Sequence, residues 1–298
     1  MEIRLYIGGH QTTTEHFTAA LQQNKTTLET ENIVFFPSTD DIYPAIFRAS
    51  KAIQQGGNAE ITTADLIERF TGVRQPEILV IVDNRIIGQE HRPFEKELFF
   101  PRPGGFIKQI QNIAQGQEVQ LFIETRNIAD FLPAIYADQV FSNIPGSFAD
   151  FLAKTNPEEL LWSNFINRAQ GRGTLMPATV WQYEDYAYIW RDVMGAVSGY
   201  SKYQDLAAPA QKPALDTKLQ TALLFYKYIQ KYPVKSPAEF ETLKNLFLEQ
   251  NFGAAKPVTP PEWTQQRIQE LTYSYEDDWY YIERMDEVLA IQQRVYTA

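Results

Sequence analysis

Short apolar runs recur along the first two thirds of the chain and alternate with amphipathic segments. Five of these runs have the length and composition of β-strands, at residues 3–7, 33–36, 78–82, 119–123 and 179–183. Segments with apolar residues at helical spacing lie between them. Strands that alternate with helices are typical of a parallel sheet covered by helices on both faces. The pattern therefore predicts an α/β fold with a doubly wound, mostly parallel sheet.

Helical patterns fill the remaining chain. Between the strands they cover residues 15–21, 44–53, 63–70, 106–114, 128–141 and 157–169, and Thr63 is a candidate N-cap. From Tyr186 onward strand signals nearly stop, and helical patterns cover residues 215–232, 237–252, 261–271 and 280–289. We therefore expect residues 1–185 to form an α/β core and residues 186–298 a helical lobe packed on it, together one structural domain.

Composition narrows the function classes. The chain has 298 residues, of which 44% are hydrophobic and 21% charged, so it can bury a sizeable core. Its net charge of −10 argues against binding to nucleic acid or to an anionic membrane. It has no cysteine, which excludes disulfides, thiolate catalysis and thiolate metal sites, and its three histidines argue against a multi-histidine metal centre. Because no apolar run approaches the roughly 20 residues of a transmembrane helix, we expect a cytoplasmic protein without a transmembrane segment.

Candidate chemistry follows the ends of three predicted strands. Gly8-Gly9-His10-Gln11-Thr12-Thr13-Thr14 connects the first strand to a helix, whose free N-terminal amides attract anions. Asp83 follows the strand at 78–82 and is either a general base or a turn cap. His10 is either a base, a phosphate donor or a loop-packing residue. Arg126, beyond the strand at 119–123, either contacts an anion or forms a structural salt bridge.

Two of these segments resemble motifs of P-loop sulfotransferases of the bacterial, carbohydrate type. That family's loop typically reads Ile-Gly-x-His-Lys-Thr-Gly-Thr-[Thr/Ser] and cradles the 5'-phosphosulfate of the donor PAPS (3'-phosphoadenosine 5'-phosphosulfate). A later family motif contains the Arg and Ser that hold the 3'-phosphate. The matching residues here are Gly8, His10, Thr12 and Thr14 in the loop, and Arg126, Asn127, Asp130 and Tyr136 in the later motif.

The resemblance covers most of the chain and implies a site. Gly8, Gly9, Gln11, Thr12, Thr13, Thr14 and Arg126 would bind PAPS, and Asp83, His10 and Gln11 would act in catalysis. The acceptor would be a hydroxyl group of a glycan or small molecule.

Several positions depart from the family pattern, and the departures disfavour a dianionic donor. Gln11 replaces the lysine, and losing such an electrostatic group costs about 3–4 kcal/mol of transition-state stabilisation. Thr13 replaces a glycine, and a β-branched residue tolerates positive φ badly. Glu15 adds negative charge at the helix N-terminus. Ala134 replaces the serine that would contact the 3'-phosphate.

Three hypotheses therefore stay open. The chain is a PAPS-dependent sulfotransferase, or a non-catalytic protein of that fold that lost the donor site and binds or assembles with a partner, or an enzyme that uses another anionic ligand. A separate tyrosine-rich segment, residues 273–281, suggests either sugar stacking or helix-packing aromatics, and the second interpretation is favoured.

Overall fold

The computed structural model describes residues 1–8, 11–36, 41–82, 94–95, 98–100, 103–144, 146–171, 175–210, 218–250 and 260–293. Six strands form one sheet: β1 (Glu2–Gly8), β2 (Ile33–Phe35), β3 (Ile78–Val82), β6 (Val119–Thr125), β7 (Ala178–Gln182) and β8 (Val288–Ile291). Their order is β2-β3-β1-β6-β7-β8, and every pairing is parallel. Two short strands, β4 (Phe94–Glu95) and β5 (Leu98–Phe99), form a separate antiparallel pair.

Twelve α-helices occur among the described residues, and several of them cover the two faces of this sheet. They are α1 (Thr14–Gln23), α2 (Lys25–Thr30), α3 (Ile42–Gln54), α4 (Ala59–Thr71), α5 (Gly104–Ala114), α6 (Ile128–Phe141), α7 (Phe148–Leu152), α8 (Trp162–Gln170), α9 (Tyr186–Ser198), α10 (Leu219–Lys231), α11 (Pro237–Glu249) and α12 (Gln265–Ile282). No described helix combines the length and the apolar character that crossing a bilayer requires.

The alternation of side chains along β1 divides the interior into two apolar layers. Leu5 and Ile7 are buried with residues of α3, α5, α6 and α8 on one face of the sheet. Tyr6 is buried on the other face with residues of α1 and α9. Because both faces of the central strands are covered, their sequences read as nearly continuous apolar runs.

The prediction of an α/β fold with a parallel sheet is confirmed, and all five predicted strands are present. Two local predictions are wrong. The N-cap of α4 is Asn58, whose side chain accepts a hydrogen bond from the amide of Ile61, and Thr63 lies inside the helix. The helix predicted at 280–289 is absent, because α12 continues to Ile282 and β8 follows, with its backbone paired to β7.

The C-terminal elements pack onto the rest of the chain. Helix α10 contacts α6, α11 contacts α10, and α12 contacts both α6 and α8. Helix α9 lies against the sheet, and β8 extends that sheet beyond β7. The division into a core of residues 1–185 and a helical lobe of residues 186–298 stays a prediction.

Candidate functional site

The candidate site lies at the carboxyl edge of the sheet, where β1 and β6 are neighbours. From β1 the chain continues to β2 at one end of the sheet, and from β6 it continues to β7 on the other side. In open α/β sheets, ligands bind where the strand order reverses in this way. The loop after β1 and the loop after β6 therefore meet at the position where this architecture most often holds a ligand.

Gly8 ends β1 and allows a close approach of the loop. A Cβ atom at this position would lie 2.3 Å from Thr14 Oγ1, 2.7 Å from Thr12 Oγ1 and 2.9 Å from Tyr6 Cε1. The two threonine hydroxyls also face each other, with 3.3 Å between their oxygen atoms. Thr12 and Thr14 therefore fold over the glycine, and only a residue without a side chain fits beneath them.

Thr13 is joined to Glu124, a carboxylate at the end of β6 that is fully buried. The backbone amide of Thr13 donates to Glu124 Oε2 at 3.0 Å, and the Thr13 hydroxyl donates to Glu124 Oε1 at 2.7 Å. The Tyr6 hydroxyl donates to the same Oε2 at 2.9 Å. Two groups that could face an anion at the start of α1 are thus directed to an internal carboxylate.

Burial dominates the electrostatics of this cluster. Removal from water raises the pKa of the Glu124 carboxyl, although hydrogen bonds from Thr13 and Tyr6 act in the opposite direction. The pKa of Tyr6 is raised by burial and by the nearby Glu124 charge. Behind the loop, His16 Nδ1 lies 3.0 Å from the Tyr186 hydroxyl, and burial lowers the pKa of His16. The sheet side of the loop is therefore a dry, hydrogen-bonded region.

The backbone of the loop differs from the sequence expectation. The residue with positive φ is Gln11, at 60°, whereas Thr13 has φ −83°, which a β-branched residue adopts readily. Thr13 in place of glycine therefore causes no backbone strain here. The left-handed conformation is uncommon for a residue such as Gln11, and it directs the Gln11 carbonyl towards the next strand end.

That carbonyl accepts a hydrogen bond from the Nη1 atom of Arg126. Arg126 is buried, its guanidinium lies 4.2 Å from the centre of the Tyr183 ring, and its own carbonyl accepts a 2.8 Å bond from the indole of Trp162. Arg126 Nε has no hydrogen-bond partner among the described residues. Arg126 thus ties the loop after β1 to the segment after β6.

A second carboxylate, Glu184, lies just beyond β7 and is exposed. Its Oε1 accepts the Asn127 amide at 2.9 Å, and its Oε2 accepts the Tyr275 hydroxyl at 3.2 Å. Protein atoms around the carboxyl group replace part of its water and so raise the pKa of Glu184, although the residue as a whole is exposed. Asn127 in turn caps α6, since its side chain accepts a bond from the Ala129 amide. Among the described residues, this edge of the sheet therefore holds two carboxylates beside Arg126.

The structure brings together most of the predicted loop residues. Gly8, Thr12, Thr13 and Thr14 lie together, and Gln11 contacts Arg126. Glu15 is exposed in the first turn of α1, and Ala134 is buried in α6. Gly9, His10 and Asp83 lie outside the described residues.

Sequence reasoning missed Glu124, which accepts hydrogen bonds from both Thr13 and Tyr6. Its position in the sequence could have indicated this role. A carboxylate directly after the apolar run 119–123 lies at the carboxyl edge of a central strand.

The described residues do not fit a dianionic donor in the way that the resemblance implies. The Thr13 amide and hydroxyl are used by Glu124, the Thr12 and Thr14 hydroxyls lie over Gly8, and two acidic groups lie nearby. A phosphate placed at the N-terminus of α1 would lie beside a buried carboxylate that already binds the Thr13 amide. Comparison of the sequence with models of known protein families gave no match, and comparison with curated proteins gave none either.

Proposed function

We propose that this chain is a sulfotransferase-like protein whose donor-binding loop has become a structural element, so that it acts as a non-catalytic binding or assembly protein. One observation carries the proposal. Glu124 accepts hydrogen bonds from the amide and the hydroxyl of Thr13, at the place where the resemblance puts the donor's phosphosulfate.

The physical reason is competition for the same hydrogen-bond donors. A helix N-terminus has few free amides, and each binds an anion by pointing at it. An internal carboxylate that is already in place satisfies the Thr13 amide without any loss of ligand entropy. A phosphate would have to displace it and would leave the buried Glu124 charge without the two hydrogen bonds from Thr13, which is unfavourable.

Arg126 supports the same interpretation. Its guanidinium binds a loop carbonyl and stacks on Tyr183, and both contacts hold the loop in place. A buried cation that neutralises part of the local negative charge is consistent with a structural role. Among the described residues, most of the polar groups around Arg126 at this edge are then bonded within the protein, and Arg126 Nε is the exception at Arg126 itself.

A second candidate function is a PAPS-dependent sulfotransferase that acts on a glycan or a small hydroxylated acceptor. The observation that favours it is the position of Arg126, which contacts the loop at the point where the strand order reverses. In that case Arg126, Thr12 and Thr14 would hold PAPS, and Asp83 would be the base.

Calorimetric titration with the product nucleotide PAP (3'-phosphoadenosine 5'-phosphate) separates the two. The non-catalytic proposal predicts a dissociation constant for PAP above about 1 mM, which corresponds to a binding free energy weaker than about −4 kcal/mol. The enzyme candidate expects micromolar binding, about −8 kcal/mol, that Arg126→Ala abolishes. Micromolar binding of PAP to the unmodified chain would overturn the non-catalytic proposal.

Matched variants keep the titration interpretable. The double variant Thr12→Val/Thr14→Val removes both hydroxyls over Gly8 while retaining shape, so PAP bound through the loop would be lost. Thr26→Val/Thr27→Val makes the same chemical change on the exposed surface of α2 and should not alter binding. If wild type is silent, binding gained by Gln11→Lys/Glu15→Thr would support descent from a donor site.

A further inference from the structure

A groove between α8 and α12 lies outside the candidate site. Its volume is about 660 Å³, and its floor includes Ser163 and Asn164 of α8. Its other wall is formed by α12 residues, among them Glu270, Tyr273, Asp277 and Tyr281. None of these residues belongs to the loop after β1 or to the segment around Arg126.

The spacing along α12 explains how one helix serves both the core and this groove. Residues 270, 273, 277 and 281 recur every three or four positions and so share one face of the helix. Tyr275 and Trp279 lie on another face and are buried in the core. The expectation that the aromatic residues at 273–281 are helix-packing residues therefore holds for Tyr275 and Trp279 only.

The groove-facing tyrosines are exposed. Tyr273 is 56% and Tyr281 is 64% accessible to solvent. Large aromatic residues are enriched in interfaces, where their rings supply contact area and their hydroxyls supply hydrogen bonds. Two exposed rings on one wall of a groove therefore favour contact with another molecule.

The charge of the groove is entirely negative. Glu270, Asp277 and Asp278 line it, and none of the described lining residues is basic. Asp278 is buried and accepts a 3.1 Å bond from the Ser163 amide, so it is engaged within the protein. The ion pairs formed among described residues include none with Glu270 or Asp277.

We propose that this groove binds a basic, arginine-containing segment of a partner protein. A guanidinium placed between Tyr273 and Tyr281 would stack on an aromatic face and bond to the Asp277 carboxylate. The planar guanidinium meets both requirements with one group, which an ammonium does less well. This proposal does not depend on the role of the loop after β1, because the two regions share no residues.

The test uses a fluorescent heptapeptide with two arginines between glycine and serine residues, and a matched peptide with glutamates instead. Fluorescence anisotropy at low salt should show binding of the arginine peptide only, weakened by added salt. Asp277→Asn and Tyr281→Ala should each reduce affinity about two- to fivefold, the size of an exposed ion pair or cation–π contact. If the two contacts are independent, the double variant should lose about four- to twenty-fivefold.

Two controls make the same chemical changes on the same helix but outside the groove. Glu276→Gln changes the net charge as Asp277→Asn does, and Tyr280→Ala removes an exposed ring as Tyr281→Ala does. Neither should change affinity by more than the error of the measurement. Equal losses in the controls, absence of binding at about 1 mM peptide, or equal binding of the glutamate peptide would each overturn the proposal.

A further arm tests the occupant. Spermidine carries positive charge without a guanidinium, and it should compete with the peptide only weakly. Displacement of the peptide by spermidine at concentrations below the peptide's own dissociation constant would show that the groove binds a free polyamine, and would overturn the assignment to a protein segment.

Discussion

At the residue scale, a buried carboxylate determines what the loop after β1 can do. Glu124 has no solvent exposure, and its partners include the amide and hydroxyl of Thr13 and the hydroxyl of Tyr6. A buried charge is retained only where hydrogen bonds replace its water. The loop therefore stabilises Glu124 as much as Glu124 orders the loop.

The raised pKa of Glu124 predicts how stability depends on pH. Since the folded protein holds the Glu124 proton above the ordinary pKa of 4.5, the folded state binds more protons there than the unfolded state. The contribution of Glu124 to the free energy of unfolding should fall as pH rises through 4.5 to the raised value. Urea denaturation from about pH 4 to 8 should show wild type losing stability relative to Glu124→Gln over this window.

Tyr6→Phe provides an internal check on that prediction. Its hydroxyl favours the ionised form of Glu124, so its removal should raise the pKa of Glu124 further and extend the pH window upward. If wild type instead gained stability relative to Glu124→Gln as the pH rises, the pKa of Glu124 in the folded protein would be lowered. That result would contradict the assignment.

At the element scale, the sequence predicted what apolar periodicity controls and failed where hydrogen bonds decide. The five predicted strands are mostly apolar runs, which follows from the helices that cover both faces of the sheet. Strand β8 was missed because it is short, half-exposed and close behind a helical pattern, and pairing with β7 defines it. In the site, Gly8 and Arg126 were identified from motifs, whereas the contact between Thr13 and Glu124 joins residues 111 positions apart and has no local pattern.

The start of α4 gives an element-scale prediction. Asn58 has an extended backbone, and its side chain accepts the Ile61 amide at 3.1 Å. Asn58→Ala should lower the free energy of unfolding by about 1 kcal/mol, since it removes the acceptor for an otherwise unpaired amide. Asn58→Asp keeps the acceptor and should restore stability in the same urea titration.

If Asn58→Ala left the urea midpoint unchanged, helix α4 would begin later than Asn58, as the sequence pattern at Thr63 predicted. The structure gives Thr63 a different role, because its hydroxyl donates to the carbonyl of Ile113 in α5 and so joins two helices.

At the scale of the whole molecule, the sheet collects strands from both ends of the chain. β1 lies near its centre, and β8 lies at one edge, so the sheet order places late residues beside β7. Gln170 at the end of α8 adds a bond to the backbone of Asp286 just before β8. The C-terminal segment therefore closes one side of the sheet, and the parallel pairing joins residues far apart in sequence.

Removing β8 should expose that side. A chain that ends at residue 285 loses the four residue pairs between β7 and β8, which at about 0.2–1 kcal/mol each amount to about 1–4 kcal/mol of unfolding free energy. β7 would then be an apolar edge strand, so the shortened chain should also self-associate in sedimentation velocity.

A chain that ends at residue 293 keeps β8 and controls for truncation, and Leu289→Ser, at a 65% exposed position, controls for sequence change within the strand. Equal stability of the chains ending at 285 and 293 would show that β8 does not stabilise the sheet. The residues between α12 and residue 291 would then need a role other than strand pairing.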